Sequence, residues 1–165
     1  IFNWFQIYFI ENSGMAFGIQ FIDKLFLTFF RIVAVILIFF YLRSLIKKQF
    51  PTGYILTISL LLAGAAGNIF DSVFYGVLFS DSYGKVATFL PPEGGYAPLF
   101  YGKVVDMLYF PLIKNSAGEV IFFKPIFNVA DSAITIAVFI ILFFYRKELN
   151  QSFEKKPKQN VSSEK

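Results

Sequence analysis

The sequence predicts an α-helical membrane protein: a four-helix transmembrane bundle, its first helix absent from this fragment, with a small β-sheet at the outer membrane surface. Three observations predict it. Of the 165 residues, 56% are hydrophobic and 21% aromatic, whereas a soluble domain is about 45–50% apolar by a count that includes Gly. Three long apolar runs, residues 25–46, 54–79 and 129–145, punctuate the chain. At about 1.5 Å rise per residue they suit a hydrocarbon core roughly 30 Å thick. The basic residues sit at the ends of those runs, in the pattern of membrane topology.

The elements follow in order. Trp4, Phe5, Tyr8 and Phe9 read as an interfacial aromatic strand. It enters a Gly- and Asn-containing turn from Glu11 to Gly18. Residues 1–9 lack the basic region and cleavage site of a signal peptide. The first apolar run carries only Arg31 and Arg43, and Arg31 near its start can snorkel to an interface. Lys47, Lys48 and a Pro51-Thr52-Gly53 turn close it. The second run is interrupted by Asn68 and Asp71, and the third ends in Arg146-Lys147.

The basic turn at residues 43–48 and the basic tail both belong in the cytoplasm by the positive-inside rule. Asp71, Asp106 and Asp131 then reach the outer face together, as does the first residue. An outside start without a signal implies one further span upstream. Between the second and third runs, Asn115-Ser116-Ala117-Gly118 is a turn signal between two apolar stretches. It predicts a hairpin or small sheet lying on the membrane and joined by the N-terminal strand. Residues 1–147 make one membrane-embedded domain. Residues 148–165 read as a disordered cytoplasmic tail, rich in Lys, Gln, Ser and Glu without an apolar face.

Composition narrows the chemistry. With no Cys and no His, thiolate chemistry, disulfides and the usual general base are excluded. Proton transfer falls to Asp, Glu, Lys or Tyr. The net charge of +4 is not arranged as a nucleic-acid patch. Phe127-Asn128-Val129-Ala130-Asp131 opens the third run. Its spacing allows two readings: a helix cap with an acid at the positive end of the dipole, or a functional carboxylate at the membrane boundary. Asp106, in the apolar setting Val104-Val105-Asp106-Met107-Leu108, reads either as a surface acid paired with Lys103 or Lys124 or as a desolvated one. Two carboxylates brought within a few ångströms titrate as a unit. One can then activate water while the other protonates a leaving amine. Gly64, Asn68 and Asp71 share one helical face, suited to close helix packing or to lining a site.

Four blocks together resemble the lipoprotein signal peptidase (signal peptidase II) family of bacterial membrane aspartic proteases. They are Asn12-Ser13-Gly14-Met15-Ala16-Phe17-Gly18, Gly64-Ala65-Ala66-Gly67-Asn68-Ile69-Phe70-Asp71, Val104-Val105-Asp106 and Phe127-Asn128-Val129-Ala130-Asp131. The resemblance implies Asp106 and Asp131 as the catalytic pair. It implies Asn12, Gly14, Asn68, Asp71, Asn128 and Ala130 as residues that line or shape the substrate site. It also implies a β cradle at the outer leaflet, no cofactor, and a diacylglyceryl-modified prolipoprotein cut just before its lipid-bearing Cys. The expected setting is a monomer among lipids of the bacterial cytoplasmic (inner) membrane, its site at the periplasmic face, blocked by globomycin-like cyclic peptides. Ser72 stands where the family often has Arg, so that contact is either lost or supplied by Lys85, Lys103 or Lys124, and Met15 stands where a small residue is common. The loop over residues 80–101 is long for the family. A small proton- or cation-coupled transporter or channel subunit is the alternative, with Asp71, Asp106 and Asp131 as the relay. A purely structural subunit is the third reading.

Overall fold

The computed structural model describes residues 2–13, 24–116, 118–122 and 125–154. Gly14 and Met15, the tail beyond Glu154 and Lys124 lie outside them. The order is β1 (Gln6–Asn12), α1 (Lys24–Lys47), α2 (Thr52–Leu78), β2 (Val104–Tyr109), β3 (Ile113–Lys114), β4 (Val120–Phe122), β5 (Ile126–Phe127), α3 (Val129–Phe144) and α4 (Arg146–Phe153). The three apolar runs become α1, α2 and α3, within a residue or two at each end. Among the described residues, α1 and α2 are each long and apolar enough to cross a membrane; α3 and α4, meeting at 86°, add a third if taken as one broken span.

These helices hide little of their apolar surface from each other. Phe26, Phe30, Leu37 and Phe40 of α1 are each 63% exposed, as expected where the surrounding medium is hydrocarbon and not water. Hydroxyls within α2 turn back on their own helix: Thr57 donates to Gly53 O, Ser59 to Ile55 O and Ser72 to Asn68 O. That satisfies them where water is scarce. The tightest packing lies at the end away from the sheet, where Leu45, Tyr54, Ile58 and Ile141 form a buried cluster.

α4 corrects the expected tail. Residues 148–153 are helical, not disordered. Leu149 packs on that buried cluster, Ser152 Oγ lies 2.7 Å from Tyr41 OH, and Phe153 stacks on Tyr41. Leu149 and Ser152 make a short inward face, and Phe153, itself exposed, lies flat on Tyr41. The polar composition around it conceals this face in the sequence.

At the opposite end, β1, β2 and β5 form an antiparallel sheet in the order β1-β2-β5, and β3-β4 is a separate hairpin. The N-terminal strand joins the sheet as expected, and Asn115 to Gly118 makes the hairpin turn, with Gly118 at φ 82°. Residues 88–102 are not a free loop. They run back along the end of α2: Leu90 N donates to Leu78 O, Tyr96 N to Phe79 O, Ala97 N to Gly76 O and Gly102 N to Ser72 O. At Gly76 and Leu78 the strap satisfies helix-end carbonyls that otherwise lack partners. Gly95 and Gly102 permit it, because a Cβ on either would strike the backbone of Gly76 or Asp71. The strap delivers the chain directly to β2, and so to Asp106.

Candidate active site

Asn128 is the N-cap of α3, and its cap is reciprocal. Its Oδ1 accepts from Asp131 N at 2.9 Å, and Asp131 Oδ2 accepts from Asn128 N at 3.3 Å. The residue spacing that reads as a cap in the sequence is therefore a cap. The same Asn128 also reaches out of the helix. Its Nδ2 donates to Asp106 Oδ1 at 2.9 Å and to Asn68 Oδ1 at 3.0 Å. Asn68 in turn donates from Nδ2 to Asp131 Oδ1 at 2.7 Å. Asn12, on β1, donates to Asp106 Oδ2 at 3.0 Å. Cap and functional site are thus one arrangement: the cap fixes Asp131 while the cap residue's free amide hydrogens tie it to Asp106.

All four carboxyl oxygens of Asp106 and Asp131 accept a hydrogen bond in this network. Asp106 is 3% exposed and Asn128 6%. Burial raises the Asp106 carboxyl above its ordinary value. The hydrogen bond from Asn12 opposes that rise, the Asp131 charge adds to it, and the bond from Asn128 opposes it again. Two acids from separate elements therefore meet in one buried polar cluster, one of them biased toward its protonated form.

The cleft beside them has a volume of about 250 Å³ and is lined by Asn68, Asp71, Asn128 and Ala130 together with Tyr75, Val105 and Met107. Asp71 Oδ2 accepts from Val105 N at 3.4 Å, joining α2 to β2. Ala130 sits under Gly64, whose missing Cβ leaves room for the Ala130 carbonyl. Four of the six residues expected at the substrate site line this cleft, Asn12 joins them through its bond to Asp106, and Gly14 lies outside the described residues.

Sequence comparison decides the family. The profile of signal peptidase (SPase) II matches residues 1–146. A lipoprotein signal peptidase from Porphyromonas gingivalis (strain W83) is 46% identical over 157 residues, covering 89% of this chain and 70% of that protein. One from Amoebophilus asiaticus (strain 5a2) is 37% identical, covering 93% of this chain and 66% of that protein. The chain belongs to the signal peptidase II family. A solved bacterial membrane enzyme, determined by the in meso method at 2.3 Å, superposes with a TM-score of 0.58 at 28% identity, covering 96% of this chain and 75% of that one. The signal peptidase II chain is accordingly a membrane protease of lipoprotein processing. The transporter reading draws no support from these relatives.

For a signal peptidase II, some neighbours of the two acids are unannounced by the sequence. Tyr75 and Met107 line the cleft, yet each looks like an ordinary apolar-segment residue. Lys103 does not stand free to replace an Arg at position 72: its Nζ is bound to Glu11 Oε2 at 2.7 Å. Lys85 lies on the exposed loop. Asn128→Ala should remove the cap and both bridging bonds together. The expected cost is about 1–3 kcal/mol, read as a lower unfolding temperature in detergent, together with a fall in cleavage rate larger than the lost folded fraction explains.

Proposed function

We propose that Asp106 and Asp131 are the catalytic pair of an aspartic endopeptidase that cuts diacylglyceryl-modified prolipoproteins just before the lipid-bearing Cys. One observation carries this reading: a single amide network, built from Asn12, Asn68 and Asn128, holds both carboxyl groups. In the reaction, the ionised acid takes a proton from water and the resulting hydroxide adds to the scissile carbonyl carbon. The protonated acid gives its proton to the amide nitrogen, the C–N bond breaks, and a carboxylic acid and an amine leave. Asp106, buried and pushed up, is the member that holds the proton before turnover. Asn12, Gly14, Asn68, Asp71, Asn128 and Ala130 shape the place of the peptide.

We place α1, α2 and α3 in a four-helix transmembrane bundle, with the sheet as a cradle at the outer leaflet of the cytoplasmic (inner) membrane. The arrangement of charge supports this: Arg43, Lys47, Lys48, Arg146 and Lys147 lie at the helix ends away from the sheet. The periplasmic cleft would then admit a lipid-anchored substrate sideways, its acyl chains staying in lipid, with the enzyme acting as a monomer. Globomycin-like cyclic peptides would compete for the same cleft.

The test is cleavage of a diacylglyceryl-modified prolipoprotein peptide by the detergent-solubilised protein. Release of the signal peptide is expected from the lipidated substrate and not from its unlipidated twin, and equal cutting of both would overturn the substrate assignment. A pH series adds a second check. The folded chain binds the Asp106 proton more tightly than the unfolded chain does. Its contribution to stability is full below the ordinary carboxylate value of 3.8 and is lost as pH rises through the raised value. Turnover, which needs that proton, should decline over the same upper interval, and Asp106→Asn should erase the pH dependence of stability there.

A further inference from the structure

A second cavity, of about 180 Å³, lies beside the cleft and shares Tyr75 and Val105 with it. Phe9, Phe79, Ala87 and Tyr96 complete its apolar wall. We propose that this cavity is a specificity subsite that receives one bulky apolar side chain of the substrate peptide, and that Ala87, on the loop after α2, sets the size it accepts. The inference rests on the peptidase reading above and goes beyond it by assigning a role to the long loop.

Four observations carry it. First, every polar side chain on the cavity wall has a partner. Glu11 Oε2 is bound by Lys103 Nζ at 2.7 Å and Oε1 accepts from Ser82 Oγ at 2.9 Å. Tyr96 OH accepts from Lys103 N at 2.7 Å. Ser80 Oγ accepts from Thr88 N at 2.9 Å. The Tyr75 hydroxyl is paired with Asp71. With these groups engaged and most of the wall apolar, the cavity favours an apolar guest, which gains by leaving water, over a polar one.

Second, the size fits. An apolar cavity of about 150 Å³ accommodates a benzene-sized group, so this one suits a single branched or aromatic side chain. Third, the loop is pinned and so can act as a gauge. Ser80 N donates to Thr88 O, and Phe79 and Phe89 pair as an isolated bridge with ring centroids 5.4 Å apart. Ala87 is thereby held at the wall.

Fourth, the cavity is where an extended peptide would put a side chain. β5 pairs with β2 only at Leu108 and Tyr109, so among the described residues the Val105–Met107 stretch has no strand on its cleft side. Val105 N points there, to Asp71. A substrate strand laid along this edge projects alternate side chains to opposite sides. One of them reaches past the shared Tyr75 and Val105.

The experiment uses lipidated prolipoprotein peptides in which each position flanking the scissile bond is changed singly between Leu and Ala. The wild-type protein should prefer Leu at one of these positions by about 10-fold or more in kcat/KM. Ala87→Val should reduce that ratio and Ala87→Phe should bring it to unity or reverse it, by filling the space. The ratio is taken within each variant, so a general loss of active protein cancels, and the smaller Val change decides if the Phe variant does not fold. A ratio that is the same in wild type and variants at every position, or no preference in wild type, would overturn the subsite. Failure of wild type to cut any lipidated peptide would instead remove the peptidase reading on which the subsite rests.

Discussion

Asp106→Asn and Asp131→Asn should each lower cleavage by more than about 10³-fold, since each removes a proton donor or acceptor from the bond-breaking step. Both proteins should still insert and fold. Asn at position 131 keeps a side-chain oxygen that can accept from the Asn128 backbone, so the cap of α3 survives. Asn at position 106 keeps one acceptor for the amides of Asn12 and Asn128. The double variant should be hardly worse than either single one, because residues that act as a unit do not contribute additively. Substantial activity in either single variant would remove the pair from the mechanism. Unfolding temperatures in detergent, measured alongside, separate loss of chemistry from loss of protein. A purely structural cluster predicts the opposite pattern, a large drop in stability with chemistry unaffected per folded molecule.

The second large effect is expected at a residue that carries no side chain. Gly64→Ala should lower kcat by about 10²-fold, a size that a misplacement near 1 Å can produce. An added Cβ would lie 2.6 Å from Ala130 O, 2.9 Å from Ile134 Cγ1 and 3.2 Å from Ala133 Cβ. The first of these is backbone at the start of α3, so relief requires the helix itself to shift. Asp131 and Asn128 ride on that turn, while Asn68 stays on α2. The Asn68–Asp131 bond of 2.7 Å then lengthens or breaks. Gly64→Leu should add an overpacking cost of about 1–3 kcal/mol. Gly67→Ala is the milder comparison: its Cβ would meet only the Ala130 methyl, at 3.3 Å, so α3 need not shift and the loss should be smaller, although Gly67 also lines the cleft. Equal losses at positions 64 and 67 would contradict this account of the α2–α3 contact.

Much of this was legible in the sequence, for physical reasons that differ by element. Long apolar runs announce α1, α2 and α3, the first and third of them closed by Arg and Lys, because hydrocarbon imposes length and polarity together. Asn128 and Asp131 announce themselves through spacing, although spacing does not distinguish a cap from a functional carboxylate; in the structure they form the cap, and Asn128 also bonds Asp106. Asn68 and Asp71 stand out as polar groups in an apolar run. What stayed hidden depends on long-range contact. The strap over residues 88–102 follows α2 through backbone hydrogen bonds, which leave no trace in side-chain type beyond Gly95 and Gly102. α4 is hidden because its inward face is only Leu149 and Ser152. Tyr75 lines both the cleft and the second cavity, yet in the sequence it is one aromatic among many.

The central claim is that Asp106, tied to Asp131 through Asn128 and Asn68, keeps its proton above the ordinary carboxylate range. Infrared difference spectra of the detergent-solubilised protein, recorded through a pH titration, test it directly by following the protonated-carboxyl band. Wild type should keep a protonated-carboxyl band to higher pH than ordinary Asp side chains do, and Asp106→Asn should abolish it. A wild-type spectrum in which no carboxyl band outlasts those of ordinary Asp side chains, or one unchanged by Asp106→Asn, would contradict the account.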